Sequence, residues 1–362
     1  MKKITALFLL FAALFIFTGC DKEYPPVQSS ELELTTVMTV SYDGEEYDVK
    51  YELYRALFLN FKNEVDGGDE TVWTGENKDE YIKKADGLVK ERVAEIYSVF
   101  HTAKKIGIDV YSSTYDTLIK NAIKASVEGG SVGGSTVWGY DGDYDAYLDS
   151  LKKMNLNYSV QTLLLRYAFA SEDIERYYAG EVNELGESDG HLKYSREDIQ
   201  SFYESGECVR VIRAFLPMEY YSESLAQQIR DTIASKSSDE EVGNYIISVT
   251  LSASDIKDGM LIATNNLDRS IYGELTDAAF KLKNFETSEV IPVITGDNDG
   301  YMILYRTLKT EDYFNNFYTE VVNVYLENEI GKIIDSHTSG IIPCICESDF
   351  LKTLDRSSIS ME

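Results

Sequence analysis

The apolar periodicity of this chain changes at Gly206, and that change limits what it can fold into. Before it, large apolar residues recur at helical spacing. Tyr54, Leu57, Phe58, Phe61 and Val65 form one such run, and Ile96, Val99, Phe100, Ala103 and Ile106 another. After it, "CVRVIRAFLPM" reads as an apolar strand. "SESLAQQIRDTIASK" then reads as an amphipathic helix with Leu225, Ile229 and Ile233 aligned. A helix-rich stretch followed by a compact mixture of strands and helices predicts an α+β chain with more than one core. A length of 362 residues suits two or three domains.

The remaining elements fill in this frame. Thr36 to Tyr47 alternates as a strand and breaks at an Asp43-Gly44 turn, and Asp48 is placed to cap the following helix. A long helix is expected from Asn77 to Ile106, stopped by Gly107. Ser113 with Asp116, and Ser195 with Asp198, have the spacing of helix-capping pairs. Glu128 to Asp145 is glycine-rich and reads as a solvated loop. "DGMLIATNNLDRS" reads as irregular, and a short helix follows around Ala278-Ala279-Phe280. Two strands joined by the Asp297-Asn298-Asp299-Gly300 turn then close the mixed region. Thr310 to Asp335 reads as one long helix, and residues 339–362 as a poorly ordered tail.

The first twenty residues, "MKKITALFLLFAALFIFTGC", are not part of this fold. Lys2 and Lys3 precede an apolar run from Ile4 to Phe17, the pattern of a secretory leader. The run ends Phe17-Thr18-Gly19-Cys20, which resembles a bacterial lipobox, although leucine is commoner than phenylalanine at its first position. The alternative is an uncleaved membrane helix, for which the run is short against the ~20 residues a span needs. The expectation is therefore an extracytoplasmic chain, lipid-anchored to the cell membrane through Cys20. Residues 21–35, with Pro25-Pro26, would act as a tether.

Charge and composition exclude several functions. A formal charge of −28 argues against nucleic acid and against a polybasic hold on anionic lipid. Asp141, Asp143 and Asp145 alternate as in a calcium loop, but Ala146 and Lys152 stand where such a loop needs glycine and glutamate. No metal site and no cofactor are expected. Cys344 and Cys346 are too close to bridge each other without strain; all three later cysteines read as incidental thiols, with a bridge from Cys208 to the tail as the alternative. The three histidines, His101, His191 and His337, all lie outside the mixed region. No P-loop, nucleophile elbow or HExxH pattern is present.

Several stretches, in order, resemble the extracytoplasmic foldase lipoproteins of the PrsA-like group and the related SurA-type chaperones. In the helical part these are "VMTVSYDGEEYDVKYELY", "AEIYSVFHTAKKIGIDVYSSTYDTLI" and "YDAYLDSLKKMNLNYSVQTLLLRYAFASEDI". In the mixed part "VRVIRAFLPM", "DAAFKLKNFETSEVIPV" and "GDNDGYMILYR" are similar to strands and a helix of a parvulin domain. The resemblance implies a mainly helical chaperone-like domain over residues 36–205. A parvulin-like insertion, a four-stranded antiparallel sheet with helices, would occupy 206–309. A closing helix at 310–338 would pack back on the helical domain.

The resemblance also implies a site. Parvulin isomerases usually carry one histidine on the first strand and another on the last, and here Ala214 and Met302 occupy those positions. Neither side chain can make the hydrogen bonds of an imidazole. The apolar pocket residues of the family fall at Ile271 and Leu275, and a proline or peptide pocket would draw on Phe215, Ile271, Leu275, Phe280 and Met302. The implied function is a membrane-anchored chaperone or foldase for exported proteins, with a parvulin module weak or inactive in catalysis. One alternative is an active prolyl isomerase with an altered site, and another is a ligand-binding or structural surface lipoprotein. The expected partners are unfolded or partly folded exported polypeptides, the membrane through the lipid anchor, and a second copy of the chain as a homodimer.

Overall fold

The computed structural model describes residues 24–66, 70–132, 135–137, 139–183, 185–250, 258–264, 269–293, 300–338 and 344–360. The leader, the Cys20 anchor position and the Asp297-Asn298-Asp299 turn lie outside them. The chain is α+β and forms two compact units. Among the described residues, those from Tyr24 to Ile174 and from Ile334 onward make the first, and Glu175–Ile333 the second. Within the second unit, Phe202 and Tyr203 make ring contacts with Tyr325 and Phe314 of the closing segment.

In the first unit, β1 (Thr36–Tyr42) and β2 (Glu45–Lys50) form a hairpin. Asp43 and Gly44 both take positive φ, 53° and 79°, the backbone that a two-residue turn between twisted strands requires. Helix α1 (Tyr51–Asp66) starts directly after β2. Asp48 is therefore a strand residue, bonded to Thr36 and Lys50 rather than capping a helix. Helices α2 (Lys78–Lys105), α3 (Ser113–Glu128), α4 (Tyr144–Lys153) and α5 (Tyr158–Ala179) follow. The core joins Tyr54, Phe58 and Phe61 of α1 to Trp73 and Phe100, with Phe58 and Trp73 edge to face at 6.0 Å. Helix α3 caps from Ser112 without a side-chain bond, so the Ser113–Asp116 capping pair does not form. The glycine-rich segment holds a short hairpin, β3 (Gly130–Val132) with β4 (Ser135–Val137), where a loop was expected. Asp143 caps α4 by accepting from the Ala146 amide, so this aspartate serves a helix end.

The first and last described segments are tied into this unit, which corrects two expectations. The segment read as a tether is anchored: Ser29 donates to Glu52 at 2.5 Å, and Arg55 donates to Glu33 at 2.6 Å. The segment read as a tail forms β9 (Cys344–Glu347), which pairs antiparallel with β1, followed by a short helix, Asp349–Thr353. Arg356 then reaches Asp86 at 2.8 Å and the Tyr54 hydroxyl at 3.1 Å. Local sequence hides this order because the partners of the tail lie some three hundred residues away.

In the second unit, α6 (Arg196–Glu204) carries the expected Ser195–Asp198 capping box. The strands β5 (Cys208–Pro217), β6 (Met260–Ala263), β7 (Ile291–Val293) and β8 (Gly300–Thr307) form an antiparallel sheet in the order β6-β5-β8-β7. Strand β6 thus replaces part of the segment expected to be irregular. Helices α7 (Glu223–Ala234) and α8 (Asp239–Val249) cover one face, burying Ile229, Ile233, Val242 and Ile246. Leu225, expected on the same stripe, is exposed. Helix α9 (Arg269–Lys281) packs on the other face through Leu275 and Ala279. The single closing helix of the sequence reading is two: α10 (Glu311–Asn316) and α11 (Tyr318–Thr338), broken at Phe317.

Two outcomes follow for stability. Arg356 and Asp86 are 13% and 14% exposed, so truncating Arg356 strands a largely buried carboxylate. Arg356→Ala should lower the unfolding free energy in urea by about 3 kcal/mol. Burial pushes the Glu33 carboxyl up, but the Ser30 amide, Arg55, the Ser30 hydroxyl and Asn157 outweigh it and hold it at about 2. Its contribution is complete above the ordinary 4.5 and is lost as pH falls through about 2. Glu33→Gln should therefore cost on the order of 2–3 kcal/mol in urea titrations at neutral pH, and progressively less as the pH approaches that value.

Candidate functional site

The pairing of β5 with β8 decides which side chains can meet. The register runs without a break from Arg210 opposite Thr307 to Pro217 opposite Gly300. Residues directly opposite share a face, and successive residues alternate. Val209, Val211 and Phe215 therefore lie on the same face as Met302 and Leu304. Ile212, Ala214 and Leu216 lie on the other face with Ile303 and Tyr305. Ala214 is wholly buried beneath α7 and α8. Ala214 and Met302 thus do not face one another: their positions have the same parity, and this register puts same-parity positions on opposite faces. The residues across from Met302 and Leu304 are Phe215 and Arg213.

The Met302 face is open over part of its area. A cleft of about 320 Å³ lies there. The sheet lines it with Arg213, Met260, Met302 and Leu304, and α9 adds Leu275 and Thr276. The remaining wall is Glu320, Val324 and Glu327 of α11, at i, i+4 and i+7 on one helical face. Phe215 and Phe280 pack into the same apolar layer without lining the cleft. Phe215 lies so close to Gly300 that a Cβ added there would stand 2.4 Å from its ring, so a larger residue would have to displace that ring. Ile271 lies on α9, and its side chain falls outside the described residues.

The polar groups around this greasy floor are few. Thr276 is 3% exposed, and its hydroxyl has no hydrogen-bond partner among the described residues. An unmet buried hydroxyl costs about 1–3 kcal/mol, which an occupant able to bond it would recover. Glu320 accepts from the Tyr313 hydroxyl at 2.8 Å; burial first, then this contact, pushes the Tyr313 phenol well above its ordinary range. Arg213 is exposed at the sheet side of the cleft and has neither hydrogen bond nor ion pair among the described residues. Its guanidinium offers donors only. Among the described residues, no histidine lies in this layer. His101 is buried in the first unit, stacked on Tyr42 at 5.5 Å, and His191 stacks on Tyr177 at 4.0 Å. Cys208 is a buried free thiol, raised by burial, with the Lys309 ammonium 3.8 Å from its sulfur.

The pocket reading from sequence placed Leu275 and Met302 at the cleft, and missed Arg213, Thr276, Glu320 and Glu327. Strand alternation from Met302 could not reveal Arg213, because that inference needs the register between strands. The spacing of Glu320, Val324 and Glu327 was visible, but nothing local shows which face of that helix meets the sheet.

No family model matches the chain, and no curated protein does. Among solved structures, it is similar to foldase protein PrsA from Streptococcus pneumoniae at 12% identity. That match covers 83% of this chain and 92% of that one, with a TM-score of 0.26. Foldase protein PrsA from Lactococcus lactis matches at 14% identity over 90% and 99% of the two chains, with a TM-score of 0.24. PrsA from Bacillus subtilis matches at 14% over 73% and 86%, also at 0.24. Identities and scores this low do not place the chain in that family. Among the described residues, no helix is long and apolar enough to cross a membrane, and no group of His, Cys, Asp or Glu is arranged to hold a metal.

The geometry at position 214 is open to a direct check. Ala214→His would force an imidazole into the packed layer under α7 and α8, not into the cleft. It should destabilise the chain by about 2–4 kcal/mol in urea unfolding. Met302→His, on the cleft face, should cost less than half as much.

Proposed function

We propose that this chain is an extracytoplasmic chaperone or foldase, anchored to the membrane through Cys20, that holds unfolded segments of exported polypeptides. Its four-stranded module serves as a binding element and not as a prolyl isomerase. The observation that carries the reading is the cleft itself. It has an apolar floor of Met302 and Leu304 on the continuous β5–β8 ladder, with Leu275 of α9 beside them and a few polar groups at the margin. That is the composition of a site that buries an apolar side chain while leaving a backbone accessible.

Rotation about an X-Pro bond must overcome a barrier of about 18–20 kcal/mol. An enzyme lowers it by contacts that strengthen as the amide twists. The floor of the cleft is made of methionine and leucine side chains, which offer no hydrogen bond that could strengthen in that way. Binding without catalysis is what these residues support. The domain reading of the sequence, a helical chaperone-like body joined to a parvulin-like module, and the lipid anchor at the lipobox belong to the same proposal.

The test combines two assays on the chain lacking its leader. Light scattering of an aggregating client should show suppression that rises with chaperone concentration. Met302→Glu, which places a charge in the floor, should weaken suppression about tenfold or more. In a protease-coupled proline-peptide assay the rate should stay at background; a rate clearly above it would favour the isomerase instead. No suppression and no crosslinking to clients would end the chaperone reading.

A further inference from the structure

We propose that the Met302 cleft selects extended polypeptide segments in which a large apolar residue is flanked by lysine or arginine. This rests on the reading that the cleft holds unfolded polypeptide, and it adds which polypeptide.

Three observations converge. First, the α11 wall presents Glu320 and Glu327 on either side of Val324, one helical turn apart from it in each direction. Against the single guanidinium of Arg213, the charged lining therefore sums to −1. The whole chain, at −28, adds a field of the same sign. An apolar side chain seated on Met302 and Leu304 would lie beside Val324, and a neighbouring cation in the same segment would reach a carboxylate. Second, Arg213 has no partner among the described residues and only donates. It suits the backbone carbonyls of an extended occupant, which a folded surface does not present in a free row. Third, Thr276 is a lining residue whose hydroxyl is buried just behind the cleft surface without a partner among the described residues. It can give or accept one hydrogen bond, so an occupant with a free backbone satisfies it whatever its side chains are.

The division of labour is specific. The floor and Thr276 supply binding that ignores charge, and the α11 wall supplies discrimination. Acidic flanks meet Glu320, Glu327 and the field of the body, and are rejected; this repulsion does as much for selectivity as the attraction of basic flanks.

The experiment uses fluorescein-labelled peptides that share one apolar centre and differ only in flanks: lysine, serine or glutamate. Binding to the full chain lacking its leader is followed by anisotropy at about 20 and about 200 mM salt. Lysine flanks should bind at least roughly fivefold more tightly than glutamate flanks at low salt, and the gap should narrow at high salt. Glu327→Gln should shrink the lysine-to-glutamate ratio, and Glu327→Lys should invert it. Thr276→Val, close in shape, should weaken all three peptides by about three- to tenfold. Thermal melts confirm that each variant is folded. No discrimination between flanks overturns the proposal, and so does discrimination that survives both Glu327 variants, which would trace it to the charge of the whole body. Unchanged affinity in Thr276→Val places the peptides elsewhere and overturns it equally. Failure of every peptide to bind the unaltered chain would instead bring down the underlying polypeptide-binding reading.

Discussion

The pairing of β5 with β8 is the constraint on which the second unit depends. It joins residues about ninety positions apart in a ladder with no bulge between Arg210 and Pro217. In such a ladder, a slip of one residue would turn every side chain of one strand to the opposite face. That slip would push Ile212, Ala214 and Leu216 out of the layer beneath α7 and α8, and would bring Arg213 into it. Burying an unpaired guanidinium costs several kcal/mol, so the register is strongly specified. Once it is set, one face becomes a closed core, and the other keeps the apolar layer that the cleft opens onto.

The first unit is held by a different means. Its sheet and helices close around Tyr54, Phe58, Trp73 and Phe100, but its first and last described segments are secured by polar clusters. Glu52 accepts from Ser29, Asn157 and Ser159, and Glu33 from Ser30, Arg55 and Asn157. At the other end, Arg356 meets Tyr54, Asp86 and Glu347. These clusters bring distant segments to one place with geometry that apolar packing alone would leave loose. They also make the unit sensitive to acid, because the Glu33 carboxylate is held in its charged form. The large surplus of acids elsewhere is mostly surface and speaks to solubility more than to fold.

Much of the fold was legible from local pattern, for reasons that can be named. The Asp43-Gly44 turn and the Ser195–Asp198 capping box are short-range chemistry, and both form as read. The long α2 helix follows from its periodic stripe. The misses share one cause. The tail became a strand because β1 had a free edge to receive it. The closing helix breaks at Phe317, where Tyr313 packs against Phe317 at 4.6 Å and Phe314 against Tyr318 at 5.4 Å, an aromatic cluster that no helical count foretells. Each miss depends on a partner far away or on packing in three dimensions.

The same division runs through the site. Taken alone, the sequence determined the α+β character, the apolar strand from Cys208, the Met302 position and the absence of histidine from the mixed region. These are properties of composition and of spacing within a few residues. Only the tertiary structure decided that Ala214 looks into a core while Met302 looks into a cleft. It also decided that Arg213 and Thr276 stand at that cleft, and that α11 turns Glu320 and Glu327 toward it. A strand's own pattern shows that its residues alternate. Which alternate set meets which partner is settled by long-range register and helix docking, where the free energy of burying one face and exposing the other is counted over the whole unit at once.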